Sequence, residues 1–391
     1  MKKLLAAFVA FVVWAGAGTG AATVRAEPPK PGTSAEAAAL IDVKSGRLLY
    51  AQQGDKRMRI ASLTKIMTAI VAIEQGKLSD QVTVSKNAFG KEGSSIYLKL
   101  GEEMSLHHLL YGLMLRSGND AATAIAEHVG GSEQGFVYLM NEKARELGME
   151  HSRFMNPHGL DHNDHYSTAN DMAKLTAYAL QNPTFQEIVK TEVKKVPNPT
   201  ESWDHVWSNK NKMLNMYNGA DGVKTGYTKI AKRCLVSSAT RNGQQLAVVT
   251  LNDPNDWLDH RNLLDWGFSH YKLTPLVQKG EVVQPGLAAG HSFQYALSEG
   301  EASGVSRSLQ LQDANSPEYR LGLAGTLTLT LNGKTIGSVP VYPEGSPRLA
   351  QEPDNRQTML RTTGLEAAVT GSGRGWFANL EQVVKALFAG A

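Results

Sequence analysis

The sequence predicts an α/β domain, an antiparallel sheet flanked by helices with a helical subdomain, followed by a small all-β domain and a C-terminal amphipathic helix. Three observations carry this. Gly222–Tyr227, Cys234–Thr240 and Leu246–Leu251 are short apolar runs divided by turn residues, including Asn242-Gly243, and read as adjacent antiparallel strands. Several segments between residues 60 and 180 repeat apolar residues at helical spacing. Beyond about Pro275 the texture changes to short alternating segments, of which Gly325–Leu331, Asn332-Gly333 and Lys334–Val341 form a hairpin signal.

Taken in order, residues 1–26 open with Lys2 and Lys3, continue with the apolar run Leu4–Trp14, and end on Val24-Arg25-Ala26. That pattern predicts a secretory signal cleaved after Ala26 and an exported mature protein. The apolar run falls short of the ~20 residues a membrane span needs. Residues 27–36, with Pro28, Pro29, Pro31 and Gly32, read as a tether. Residues 37–274 are expected to form the first domain, 275–370 the β domain, and 371–391 a Gly-rich linker and amphipathic helix.

Within the first domain, Ala38–Ala51 reads as a β-hairpin about Lys44-Ser45-Gly46. A helix then carries Ile66, Ala69, Ile70 and Ile73 on one face and stops at Gly76. Ser105 is expected to cap a second helix with Leu106, Leu109, Leu110, Leu113 and Met114 inside. It halts at Ser117-Gly118-Asn119, and Asp120 starts a third helix, Ala121–Val129. Phe154–Asp161 is loop, a helix starts at about Thr168, and Asp256–Phe268 closes the domain. At the end of the chain Trp376, Phe377, Leu380, Val383, Val384, Leu387 and Phe388 recur with helical period, a stripe suited to the membrane surface.

Without residues 1–26 the formal net charge falls from +3 to zero, which leaves no basic excess for nucleic acid. Cys234 is the single cysteine, so stability must come from a packed core rather than an intrachain disulfide. It reads as a buried structural thiol.

Ser62 and Lys65 lie three positions apart on one helical turn, close enough for the amine to take the hydroxyl proton. Ser62 also falls at the helix start, where free N–H groups favour a developing anion. The same spacing recurs at Ser269 and Lys272, but with no partner motif after it. Downstream of the first pair stand Ser117-Gly118-Asn119, a hydroxyl and an amide held at a rigid interhelical corner, and Lys224-Thr225-Gly226, a cation and a hydroxyl on a strand. Gly226 is expected to let a substrate backbone come close. Ser85-Lys86-Asn87 also fits the second pattern, but follows a strand signal and reads as a helix cap.

This ordered set is that of serine β-lactamases and penicillin-binding proteins. With Ala61–Thr68, Ser117–Ala121, Asn156–Leu160, His165–Ala169 and Asp221–Tyr227, the chain resembles low-molecular-weight penicillin-binding proteins of the serine D-alanyl-D-alanine carboxypeptidase type. The resemblance implies a penicillin-binding/β-lactamase-like α/β catalytic domain. It implies acylation of Ser62 by the D-Ala-D-Ala terminus of peptidoglycan pentapeptide, with Lys65 as base and Ser117 and Lys224 relaying or stabilising the proton. Asn119 would hold the acyl side's amide, Thr225 the terminal carboxylate, and the N–H groups of Ser62 and Tyr227 the oxyanion. It further implies covalent inhibition by β-lactams and membrane association through the C-terminal helix. No cofactor is required.

Rival readings are a β-lactamase, a D,D-endopeptidase and a non-catalytic penicillin sensor. A zinc peptidase on His158, His162 and His165 with Asp161 and Asp164 is disfavoured, because Pro157 and Gly159 break a helix there and no Glu follows His158 as in His-Glu-x-x-His. One departure from the family is the basic turn Ala231-Lys232-Arg233-Cys234, where many relatives have glycine; it reads as a solvated turn.

Overall fold

The structure, a computed structural model, describes residues 28–198 and 201–350. The signal and the amphipathic stripe read from the sequence lie outside them. Strands β1 (Ala37–Asp42) and β2 (Leu48–Gln52) form the expected hairpin, and a one-turn 3-10 helix, Ala61–Leu63, leads into α1 (Thr64–Gln75). Short strands β3 (Gln81–Thr83) and β4 (Glu103–Ser105) precede α2 (Leu106–Tyr111), whose N-cap Ser105 accepts from His108 N–H as its position predicts. A π-turn, Gly112–Arg116, ends that helix. It is followed by α3 (Asn119–Gly130), α4 (Glu133–Glu146), α5 (Ala169–Ala179, capped by Thr168) and α6 (Pro183–Lys190).

The hairpin β5 (Val193–Val196) and β6 (His205–Ser208) and a single turn α7 (Met213–Met216) lead into β7 (Ala220–Thr228), β8 (Lys232–Arg241) and β9 (Gln244–Leu251). Helix α8 (Asp256–His270) follows. These strands form one five-stranded sheet, ordered β2-β1-β9-β8-β7, with antiparallel neighbours throughout. Period-two alternation sorts its side chains. Ala37, Ala39, Ile41, Ala247, Val249 and Leu251 face the large core shared with α1, α3 and α5. Ala38, Leu40, Leu246 and Val248 face α8 through Leu263, Leu264 and Trp266. A sheet covered on both faces leaves β7 as an edge whose rim is available to a ligand.

Beyond α8, β10 (Tyr271–Val277) runs on through Pro275, with a shift in its pairing register between Pro275 and Val277. Strands β11 (Val282–Gln284), β12 (Leu287–Ala289), β13 (Phe293–Ser298) and β14 (Val305–Leu311), the turn α9 (Pro317–Arg320), and β15 (Gly325–Leu331) and β16 (Lys334–Pro343) complete the described chain. β10 pairs with β13, and the others form a second five-stranded sheet, β11-β12-β16-β15-β14, around a separate core with Leu329, Val339 and Val341 at its centre. Arg47, in the β1–β2 hairpin, binds Glu301 at 2.7 Å and the Ala296 carbonyl at 2.7 Å, tying the first hairpin to β13 and the turn after it.

One local reading needs correction. Ser85-Lys86-Asn87 does not start a helix; Ser85 Oγ accepts from Asn87 and Ala88 N–H at 3.1 Å each and closes a turn. The hydroxyl competes with the backbone for those donors, so the segment bends instead of continuing.

Candidate active site

Ser62 lies in the 3-10 turn ahead of α1, and Lys65 one turn on, with its side chain wholly buried. The turn is forced into position. Ala61 has φ +47°, a left-handed conformation that non-glycine residues rarely adopt unless their surroundings impose it. Thr64 Oγ1 donates to Ala61 O at 2.9 Å, and Gly159, itself at φ +86°, passes so close that any Cβ there would collide with the same carbonyl. The loop around Gly159 thus requires glycine to sit against the nucleophile turn.

Three groups surround Lys65 Nζ: Ser62 Oγ at 3.1 Å, Asn119 Oδ1 at 2.7 Å and the His158 carbonyl at 2.5 Å. Asn119 Nδ2 donates to Glu92 O at 2.6 Å, which fixes the amide orientation so that Oδ1 is the atom facing the lysine. A neutral amine has two N–H donors and one lone pair. In that form the two carbonyl-type oxygens would take both donors and leave the lone pair for the Ser62 hydroxyl. Burial is the main force holding the Lys65 pKa well below its ordinary value, with the Lys224 and Lys210 charges adding to it and Asp120 opposing. Lys224, equally buried on β7, is pushed down to about 7 by burial and then by Lys210.

Ser117 sits at the end of the π-turn with φ +67°. Its hydroxyl is buried and has no hydrogen-bond partner among the described residues, which leaves its bonding capacity for an incoming group. Thr225 and Gly226 are half-buried on the sheet edge, and Tyr227 is exposed. A Cβ on Gly226 would come within 3.2 Å of Ser62 N and 3.3 Å of Ile60 O. Within the protein, the close approach at this glycine is to the nucleophile's own backbone. Gly226→Ala is expected to separate β7 from Ser62 and lower kcat/KM by about 10–100-fold with the fold retained, checked by steady-state kinetics beside a thermal melt.

The structure brings Ser62, Lys65, Asn119 and Gly226 together by direct proximity, and couples Lys224 to Lys65 through its charge. Sequence reasoning missed the His158 and Glu92 carbonyls, since any residue supplies a carbonyl and no side-chain pattern marks it. It also missed Lys210, half-buried and close enough to depress both other lysines. The only signal was the basic pair Lys210 and Lys212 shortly before β7.

The histidines have separate partners. His165 Nε2 lies 2.8 Å from Thr64 Oγ1, and its Nδ1 accepts from Met155 N–H; burial pushes it down to about 3. His162 Nδ1 accepts from Asp164 N–H. Arg59 gathers the carbonyls of His162, Asn163 and His165, holding this loop against the turn before Ser62. Cys234 is buried, its thiol pushed up to about 12 by desolvation. In the basic turn, Arg233 pairs with Asp256 rather than standing free in solvent.

Comparison with known proteins points in one direction. The Peptidase_S11 family, D-alanyl-D-alanine carboxypeptidase, matches residues 22–255. The D-alanyl-D-alanine carboxypeptidase DacF of Bacillus subtilis is 35% identical over 331 residues, 78% of this chain and 84% of its own length. DacC of Escherichia coli is 32% identical over 80% of this chain and 84% of its own. Among solved structures, penicillin binding protein 5 from Haemophilus influenzae aligns with a TM-score of 0.67 at 28% identity, covering 81% of this chain and 98% of that one.

Proposed function

The chain belongs to the D-alanyl-D-alanine carboxypeptidase family and is a serine carboxypeptidase acting on the D-Ala-D-Ala bond of cell-wall peptides; we propose that Ser62 is its nucleophile and Lys65 the base that activates it. The observation that carries this is the fully buried Lys65 amine, 3.1 Å from Ser62 Oγ and held on its other sides by Asn119 Oδ1 and the His158 carbonyl. Ser62 Oγ attacks the carbonyl of the penultimate D-alanine while Lys65 Nζ accepts the hydroxyl proton. The N–H groups of Ser62 and Tyr227, at the helix start and the end of the sheet edge, hold the oxyanion. Collapse breaks the peptide bond. The departing D-alanine amine takes a proton relayed through Ser117 and Lys224, and water then hydrolyses the Ser62 ester to free the shortened peptide.

Thr225 and the Lys224 and Lys210 cations supply the hydrogen bond and charge that the terminal carboxylate of pentapeptide calls for. Asn119 Oδ1 holds Lys65 and one Nδ2–H holds Glu92 O, which leaves the second Nδ2–H for the acyl-side amide, so binding and base positioning share this residue. β-Lactams, whose strained amide meets the same serine, are inhibitors that acylate it. We take residues 37–274 as the peptidase unit and 275–370 as an appended β unit.

The test is incubation of the purified protein with a diacyl-L-Lys-D-Ala-D-Ala peptide and assay of free D-alanine. Release that survives a chelator is the expected result. Absence of release overturns the reading, and release lost to the chelator while Ser62→Ala retains it overturns it in favour of the histidine loop. A cross-linked dimer assayed in parallel separates carboxypeptidase from D,D-endopeptidase action, and penicillin turnover separates both from a β-lactamase. The signal-like residues 1–26 support export to the outer face of the cytoplasmic membrane, and the apolar stripe Trp376–Phe388 supports attachment there. Truncation at Gly373 is expected to move the protein from the membrane pellet to the soluble fraction; a truncated form that still pellets counts against the anchor.

A further inference from the structure

We infer that Glu133, at the first turn of α4, is a positioning residue for the acylation step, bracing through His158 the carbonyl that holds Lys65. The inference rests on Lys65 being the base. Glu133 touches neither Ser62 nor Lys65; it acts through two arms. In the first, Leu160 N–H donates to His158 Nδ1 at 3.3 Å, so the ring proton resides on Nε2. That nitrogen lies 3.5 Å from Glu133 Oε1, and the imidazole is 5% exposed. Burial holds the His158 pKa below its ordinary value, against the opposing pull of Glu133, and so favours the N–H donor over a charged imidazolium. The ring so held belongs to the residue whose backbone carbonyl accepts from Lys65 Nζ at 2.5 Å.

In the second arm, Glu133 Oε2 takes Lys91 Nζ at 3.1 Å and Asn87 Nδ2 at 3.2 Å. Those residues lie in the segment running into Glu92, whose carbonyl orients the Asn119 amide at 2.6 Å, and Asn119 Oδ1 is the other acceptor of Lys65. One carboxylate thus connects to both oxygens that take the N–H donors of the base. Glu127 shares the second arm, since it also binds Ser85 and Asn87. Among the described residues the His158 ring has no other carboxylate against it, so the first arm depends on Glu133.

The base must keep its lone pair on Ser62 Oγ, and a displacement of about 1 Å in such a group can cost 10²-fold. Loosening the His158 carbonyl also lets water reach the amine, which reverses the burial that is the largest cause of its low pKa. The charges that act most on Lys65 are those of Lys224, Lys210 and Asp120, and the Glu133 carboxylate is not among them.

The test measures the acylation rate constant with a fluorescent penicillin from pH 5 to 10 for wild type, Glu133→Ala and Glu133→Gln, alongside KM for the peptide and a thermal melt. Glu133→Ala is expected to acylate about 10–30-fold more slowly at pH 7, with KM changed less than threefold and the acid limb of the pH profile moved to higher pH. Glu133→Gln, which retains an acceptor for His158 Nε2–H, is expected to recover most of the rate. Equal rates and an unmoved acid limb in Glu133→Ala overturn the inference. So does a rate loss with an unmoved limb that Gln fails to rescue, the mark of a merely structural role. If Glu133→Ala does not fold, Glu133→Gln against Glu133→Lys decides by the same readouts, the lysine being expected to remove the acceptor. Failure of wild type itself to be labelled would instead refute the assignment of Ser62 and Lys65, which keeps the two outcomes distinct.

Discussion

Replacement of Ser62 by alanine is expected to lower D-alanine release by on the order of 10⁴–10⁶-fold and to abolish covalent labelling by penicillin, measured by steady-state assay and by intact-protein mass after incubation. The size follows from what is lost. Without the hydroxyl the two-step route through an ester disappears, and the remaining oxyanion donors and carboxylate contacts can only assist direct attack by water. Folding should be little affected, because Ser62 sits at the mouth of a helix rather than in the large core, and its one described side-chain contact is Lys65. Wild-type release from Ser62→Ala would remove the nucleophile assignment, whereas loss of labelling with retained hydrolysis would move it to another group.

Lys65→Met is expected to cost at least about 10³-fold in acylation, near the upper part of the range for general-base removal, because no second base lies within reach of Ser62 Oγ among the described contacts. Methionine has a similar volume but leaves Asn119 Oδ1 and the His158 carbonyl without the amine donor. The wild-type pH profile should show why. Lys65 must be unprotonated to accept a proton, so acylation rises with pH through a limb lying below the ordinary lysine pKa. Since Lys65 and Lys224 interact, that limb belongs to the pair. The Lys224 ammonium is depressed to about 7 in the free protein, and a bound carboxylate favours its charged form, so its loss at higher pH should appear in KM before kcat.

The same depressions fix a sign for stability. Unfolded lysines titrate near their ordinary value, while the folded Lys65 and Lys224 hold fewer protons below it. The cost to the folded state is therefore fully present below the folded pKa and relieved as pH rises toward the ordinary value. Wild type should gain thermal stability as pH rises from about 7 toward the ordinary lysine value of 10.5 from this source, and Lys65→Met should gain less. An equal gain in the two proteins would show that Lys65 is not held neutral by burial.

Much of the architecture was legible in the chain because it is local. A helical face such as Ile66, Ala69 and Ile70, a cap such as Ser105, and a turn such as Asn242-Gly243 are determined within a few residues, and each appears where its spacing places it. Ser85 shows the limit: its hydroxyl can cap a helix or close a turn, and in the fold it closes a turn while donating to Glu127, 42 positions away. The pairing of Ser62 with Lys65 was visible for the same local reason, as one helical turn places them on one face.

By itself, then, the sequence determined which groups could react and on which elements they stand: the serine and lysine, the Ser117–Asn119 corner and the Lys224–Gly226 strand. Only the tertiary structure decided that Lys65 meets Asn119 and the His158 carbonyl, across 54 and 93 residues of chain, and that Gly226 abuts Ser62. A side chain's identity travels with the sequence, whereas its protonation and aim depend on burial and on backbone carbonyls brought in from distant segments, and those exist only once the core has closed.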